Sequence, residues 1–357
     1  MTMSHYKRYP WIANFPGSAG PARRRLGLAW IAALLITSGA SSQVMVFAAH
    51  AQVSVAQRNQ LWAWCTDASK PDVALGGCTT LIETGSLQPL ELAATHNSRG
   101  LLHVQGRQFP QALQDFNTAV TLAPANALYR RSRAAAQGAL GETYKALEDM
   151  QEAVRLNPED AASYYYRGDA YVAVGQIGRG IEDYDESIRR DPSAAEPFKS
   201  RAFAYTLTGK VGGALVDYTE ALKRRPDYVD ALINRGLLYH DLGQYPIALR
   251  DLDAAVQMDP KNAVALSARG SHFLRTGRTD RAIEDFDKAL LLKPDMASAY
   301  FQRAQAYYVK GNKDQTVADY IQAHQLDSRY PPVSPDLFEG EDIDIPGDFS
   351  RRRPFSR

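Results

Sequence analysis

The sequence predicts an all-α chain built as a solenoid, one helical hairpin repeated seven times. Three observations predict it. Prolines recur at Pro124, Pro158, Pro192, Pro226, Pro260 and Pro294, always 34 residues apart. Small residues hold three registers at the same step. The first is Gly100, Ala134, Gly168, Ala202, Gly236, Gly270 and Ala304. The second is Ala112, Ala146, Gly180, Ala214, Ala248 and Ala282, broken at Thr316; the third is Ala119, Ala153, Ser187, Ala221, Ala255, Ala289 and Ala323. A large packing residue recurs at Phe116, Met150, Tyr184, Tyr218, Leu252, Phe286 and Tyr320. A fixed period of this length marks a repeat array.

Residues 1–51 come first and read as a targeting segment. The basic run Ala22-Arg23-Arg24-Arg25 precedes the apolar stretch Leu26 to Thr37. The polar break from Ser38 to Gln43 follows, and Ala49 and Ala51 place a signal-peptidase cut before Gln52. An uncleaved N-terminal anchor is the alternative, because Leu26 to Ala51 is long enough to span a bilayer. The segment also hides a charge asymmetry. The whole chain has 41 Lys and Arg against 40 Asp and Glu, but Lys7, Arg8, Arg23, Arg24 and Arg25 face no acid in this segment. Without those five bases, 36 basic residues stand against 40 acidic ones, so no nucleic-acid partner is expected. A membrane partner is expected only if the segment stays attached.

Residues 52–92 read as a degenerate helical cap. Trp62 and Trp64 fall in its first helix, and Leu75 and Leu81 in its second. The two cysteines of the chain, Cys65 and Cys78, lie here. In an exported protein such a pair is expected to form a structural disulfide. Closing so short a loop is worth about 3 kcal/mol in the chain-entropy model. Their spacing is too wide for a CxxC redox motif, and no histidine cluster completes a metal site.

Residues 93–330 divide into seven units, 93–126, 127–160, 161–194, 195–228, 229–262, 263–296 and 297–330. Two helices that pack closely need small residues where they cross, and the small registers supply them. A glycine near the midpoint, as at Gly141, Gly175, Gly209, Gly243, Gly277 and Gly311, ends the first helix. In the first unit that glycine falls one place early, at Gly106. The proline stops the second helix. One hairpin cannot bury its apolar faces alone, so the array is the folding unit.

These small, aromatic and proline positions in a 34-residue helix-turn-helix unit resemble the tetratricopeptide repeat. The resemblance covers residues 93–330. It implies a right-handed superhelix of antiparallel helix pairs that holds a peptide or partner protein in a concave groove. Departures sit at the ends. His103 stands where the family prefers an aromatic, and Thr316 and Ser328 replace a small residue and the proline.

Two charged registers run through all seven units. Arg99, Arg133, Arg167, Arg201, Arg235, Arg269 and Arg303 directly precede the first small series. Asp115, Asp149, Asp183, Asp217, Asp251, Asp285 and Asp319 directly precede the large series. Opposite charges at matched heights on facing helices suggest a paired ladder, since the arginine fork suits a carboxylate. Arg235 is expected to pair with Asp251 in its own hairpin or with Asp217 in the preceding one. Residues needed in every unit serve the unit, while binding residues vary.

The resemblance places groove-facing residues on each first helix. The candidates are Arg131, Tyr165, Asp169, Lys199, Phe203, Ile233, Leu237, His240, Phe301 and Tyr308. Their aromatic members are expected either to be exposed for partner contact or to pack sideways against the next unit. The second row of the groove holds no asparagine, so the carboxylate clamp known in some family members is absent. The histidines are scattered, and no HExxH pattern, phosphate loop or nucleophile elbow appears. Neither an enzyme nor a cofactor or metal site is expected. Residues 331–357 are proline-rich, then acidic, then basic, which suits a flexible tail. Together these readings describe an exported, non-enzymatic scaffold for a protein or peptide partner. The alternatives are a membrane-tethered envelope assembly factor and a regulatory subunit of an envelope enzyme.

Overall fold

The computed structural model describes residues 54–330, residue 68 excepted. The expected signal segment over 1–51 and the tail over 331–357 lie outside the described residues. Within the described residues there are sixteen α-helices and no strand. None of these helices is long and apolar enough to cross a membrane. The described residues form two compact units, divided between Asp191 and Pro192.

In the first unit the helices are α1 Val55–Cys65, α2 Pro71–Glu83, α3 Pro89–Gln105, α4 Phe109–Leu122, α5 Ala127–Ala139, α6 Thr143–Leu156, α7 Ala161–Ala173 and α8 Ile177–Arg190. Each packs on the next in chain order. In the second unit they are α9 Glu196–Leu207, α10 Val211–Arg224, α11 Val229–Asp241, α12 Tyr245–Met258, α13 Ala263–Arg275, α14 Thr279–Leu292, α15 Ala297–Val309 and α16 Lys313–Leu326. The same consecutive packing holds there. From α3 onward, odd-numbered helices are the first of each hairpin and even-numbered ones the second.

Local chemistry sets the helix ends. Asn126, Asp160 and Asn262 cap α5, α7 and α13 by accepting hydrogen bonds from backbone N–H groups of the first turn. From α4 to α14, each second helix stops two residues before its proline, because the residue ahead of proline avoids helical dihedrals. Six first helices end on a glycine with φ between +74° and +83°. That conformation lets the next N–H reach back into the helix, as Arg278 N–H does to the Phe273 carbonyl at 2.8 Å.

The first repeat corrects one expectation. Gly106 has φ −78° and is not the turn residue. Arg107 takes the left-handed conformation instead, at φ 56°. Gln108 N–H then reaches the His103 carbonyl at 2.8 Å, as in the other turns. The helix hydrogen-bond register decides the site, and position 107 lies one repeat before Gly141. A side chain in this conformation costs about 1–2 kcal/mol. Arg107→Gly is therefore expected to raise stability by about 1 kcal/mol, read as a higher urea midpoint. An unchanged or lower midpoint would contradict the turn assignment.

The core of each hairpin lies where its two helices cross. A Cβ added at Gly100 would stand 2.6 Å from the Phe116 ring, and one at Gly168 2.7 Å from Tyr184. In the second unit, Gly236 meets Leu252 and Gly270 meets Phe286 in the same way. Small and large registers therefore interlock, and Phe116, Tyr184, Tyr218, Leu252 and Phe286 are all fully buried. At the start of the first unit, Cys65 and Cys78 join α1 to α2 with their sulfurs 2.01 Å apart, buried beside Leu81. Trp62 and Trp64 remain exposed on α1.

Candidate functional site

The charged registers form one motif seven times. In the first unit Arg99 grips Asp115, Arg133 grips Asp149 and Arg167 grips Asp183. In the second, Arg201 grips Asp217, Arg235 grips Asp251, Arg269 grips Asp285 and Arg303 grips Asp319. In every pair Nε donates to one carboxylate oxygen and Nη2 to the other. The fourteen distances run from 2.6 to 3.0 Å. The aspartates are buried and the arginines mostly so. Several forks use Nη1 as well, reaching the preceding second helix. Arg133 donates to Asn117, Arg235 to Thr219 and Arg269 to Asp253. One guanidinium thus fastens a first helix both to its own partner and to the preceding hairpin.

Electrostatics follow from this packing. Burial pushes the Asp115 carboxyl up, but hydrogen bonds from His96 and Arg99 outweigh it and hold it below the usual carboxylate range. The hydrogen bond to Asp183 raises the Arg167 guanidinium further, against the cost of burial. Burial of Asp183 pushes its own carboxyl up against the pull of Arg167. The ladder arginines are engaged inside the protein and are not available as an anion-binding row.

The groove candidates divide by accessibility. In the first unit Tyr165 is 5% exposed, with its ring against Tyr166 and Tyr184. Asp169 is buried and accepts the Tyr184 hydroxyl at 2.6 Å. Arg131 is half-buried and donates to Asp160, the cap of α7. In the second unit Lys199 and Ile233 are buried. The Lys199 ammonium lies 5.9 Å from the centre of the Tyr228 ring. Phe203, Leu237, His240, Phe301 and Tyr308 are half-buried. Phe301 stacks near Tyr320 and Tyr330.

None of the ten candidates is fully exposed, which corrects the first of the two expectations, a row of exposed aromatics. For Tyr165 the reason is visible in its own hairpin: the ring turns sideways onto Tyr184 of α8. The accessible part of the set is Arg131, Phe203, Leu237, His240, Phe301 and Tyr308.

One cluster was not anticipated. His240 on α11 and His272 on α13 face each other, Nδ1 to Nδ1 at 3.3 Å. Tyr245, the first residue of α12, packs against both rings, 5.6 and 5.9 Å between centres. His272 is fully buried, and its Nε2 has no hydrogen-bond partner within the described residues. Burial, helped by His272 and Arg275, pushes the His240 imidazole down to about 4. Burial and Arg278 push His272 down as well, while Asp253 pulls the other way. The signal for this site was a register anomaly. His272 occupies a place that the other repeats fill with Leu102, Ala136, Ala170, Ala204, Leu238 and Ala306. Within the described residues no group of three or more His, Cys, Asp or Glu side chains is placed to hold a metal ion.

Comparison with known proteins returns one architecture. A family model described as "Tetratricopeptide repeat" matches residues 136–195 and 267–331. A second of that description matches 229–262, and one described as "TPR repeat" matches 204–243. Together these segments span more than half of the chain. No curated protein matches. Among solved structures, a tetratricopeptide repeat protein from Parabacteroides merdae is 19% identical, with TM-score 0.58, over 70% of this chain and 98% of that one. The Cut9–Hcn1 hetero-tetramer structure of the APC/C is 15% identical at TM-score 0.58, over 76% of this chain and 52% of that one. Yeast Tom70 is 16% identical at TM-score 0.53, over 76% and 59%. At such identities the likeness concerns the fold alone.

Proposed function

The chain belongs to the tetratricopeptide repeat family, and from that premise we propose that it is an exported scaffold holding a protein or peptide partner on its first helices. Members of the family are generally non-enzymatic scaffolds, and nothing indicates catalysis here. One observation carries the reading. The residues common to every repeat are consumed by the ladder and the helix crossings, while Phe203, Leu237, His240, Phe301 and Tyr308 vary and keep part of their surface accessible. Half-buried apolar and aromatic side chains on rigid helices are the usual anchors of a binding surface.

A photo-crosslinking residue placed at Leu237 tests this in intact cells. Adducts are expected there and not at Leu291, which is 83% exposed on α14 and serves as the control. Adducts at Leu291 alone would move the contact surface to the second helices.

Export rests on the basic-apolar-small order of residues 1–51 and on the paired cysteines of α1 and α2. The mature chain is expected to begin at Gln52 by intact mass, and its cysteines to resist alkylation until a reductant is added. Free thiols before reduction would sink the disulfide. A mass that retains residues 1–51 would instead support the tethered reading, for which Leu26 to Ala51 is long enough although the polar break from Ser38 to Gln43 weakens its middle.

A further inference from the structure

We propose that His240 and His272 form a binding site for a divalent transition-metal ion of the zinc, copper or nickel type, each ligating through Nδ1. The first support is distance. A tetrahedral ion bound to imidazole at about 2.0–2.1 Å holds its two nitrogens about 3.3–3.4 Å apart. His240 and His272 present their Nδ1 atoms 3.3 Å apart, from separate helices. The second is placement. A buried polar ring in a row of alanines and leucines costs stability unless it has a partner, and His272 meets one only through Nδ1.

The unpartnered Nε2 of His272 also matters. Nothing in the fold pins the ring proton to Nδ1, so the lone pair there is free to turn to a metal while Nε2 carries the proton. His240 is half-buried, so solvent reaches its side of the pair. Among the described residues the two histidines are the whole share of ligands. Water, or a donor from a bound partner, completes the sphere.

The test titrates the full chain, stripped with chelator, with zinc chloride by calorimetry and with cobalt chloride by visible absorption, at about pH 7.5. One ion per chain is expected. His240→Gln and His272→Ala should each weaken binding at least ~10-fold, the second introducing the residue that four other repeats carry. His96→Gln, at the other histidine cluster near Asp115, should leave it unchanged. Circular dichroism of each variant separates loss of site from loss of fold, and His240→Gln alone decides the matter if His272→Ala unfolds. Absence of binding would make the contact an ordinary imidazole hydrogen bond and overturn the proposal. So would binding that survives His240→Gln or vanishes in His96→Gln.

Discussion

Removing one partner of the ladder is expected to cost about 3–5 kcal/mol, as in Asp251→Leu alone, because Arg235 then keeps a charge in a largely buried site. Asp251 is 3% exposed, and it receives both Nε and Nη2 of Arg235 at 2.7 and 3.0 Å. Arg235→Met strands the carboxylate instead and should cost a similar amount. The double variant should lose much less than the sum, since two apolar side chains of similar volume need no partner. A solvated pair would be worth about 0–1 kcal/mol and the two changes would simply add. The measurement is a double-mutant cycle by chemical denaturation. Additive losses under about 1 kcal/mol would show that the ladder is surface decoration. Strong coupling with Leu237 crosslinks retained would show that the arginines build the repeat and leave the partner to other residues. The remaining Nη1 contact to Thr219 adds a smaller loss to Arg235→Met, so that single variant should be slightly the worse of the two.

Tyr165→Ala is expected to destabilise by about 3 kcal/mol, in the range for deleting a buried aromatic ring. The ring fills space against Tyr184 inside the hairpin of α7 and α8, and no small movement of those helices closes the cavity. Phe203→Ala should cost roughly half as much, because its ring already meets solvent. Thermal melts of the two single variants check the order. Equal and small shifts would return Tyr165 to the accessible surface. The combined replacement of Tyr165, Phe203 and Phe301 therefore confounds binding with folding, and Phe203 and Leu237 are the better probes of partner contact.

Much of the fold was legible before any coordinate. A 34-residue period in prolines, glycines, small residues and large residues leaves one solution, a stacked helical hairpin, because each class does the same physical work in every copy. The ladder was legible for the same reason. Constant offsets on facing helices implied that arginine and aspartate pair, and the coordinates chose the aspartate of the same hairpin over that of the preceding one. Accessibility was not legible at all. Tyr165 on α7 and Phe203 on α9 are both groove candidates, yet one turns onto Tyr184 and the other is only half-buried. Burial depends on the neighbours' size and rotamers, which a register does not encode.

The turn at Arg107 and the histidine pair make the division sharper. Glycine content pointed to Gly106, while the backbone hydrogen-bond register placed the left-handed residue one position later. His240 and His272 are 32 residues apart, two short of a repeat, so a search for equal registers passes over them. They meet because residues two positions apart on adjacent first helices lie at the same height once the hairpins stack. Everything that repeats could be read from the order of residues: helix length, hairpin pairing and crossing residues. What happens once needed coordinates, because a single contact between unlike repeats is set by packing geometry and leaves no periodic trace.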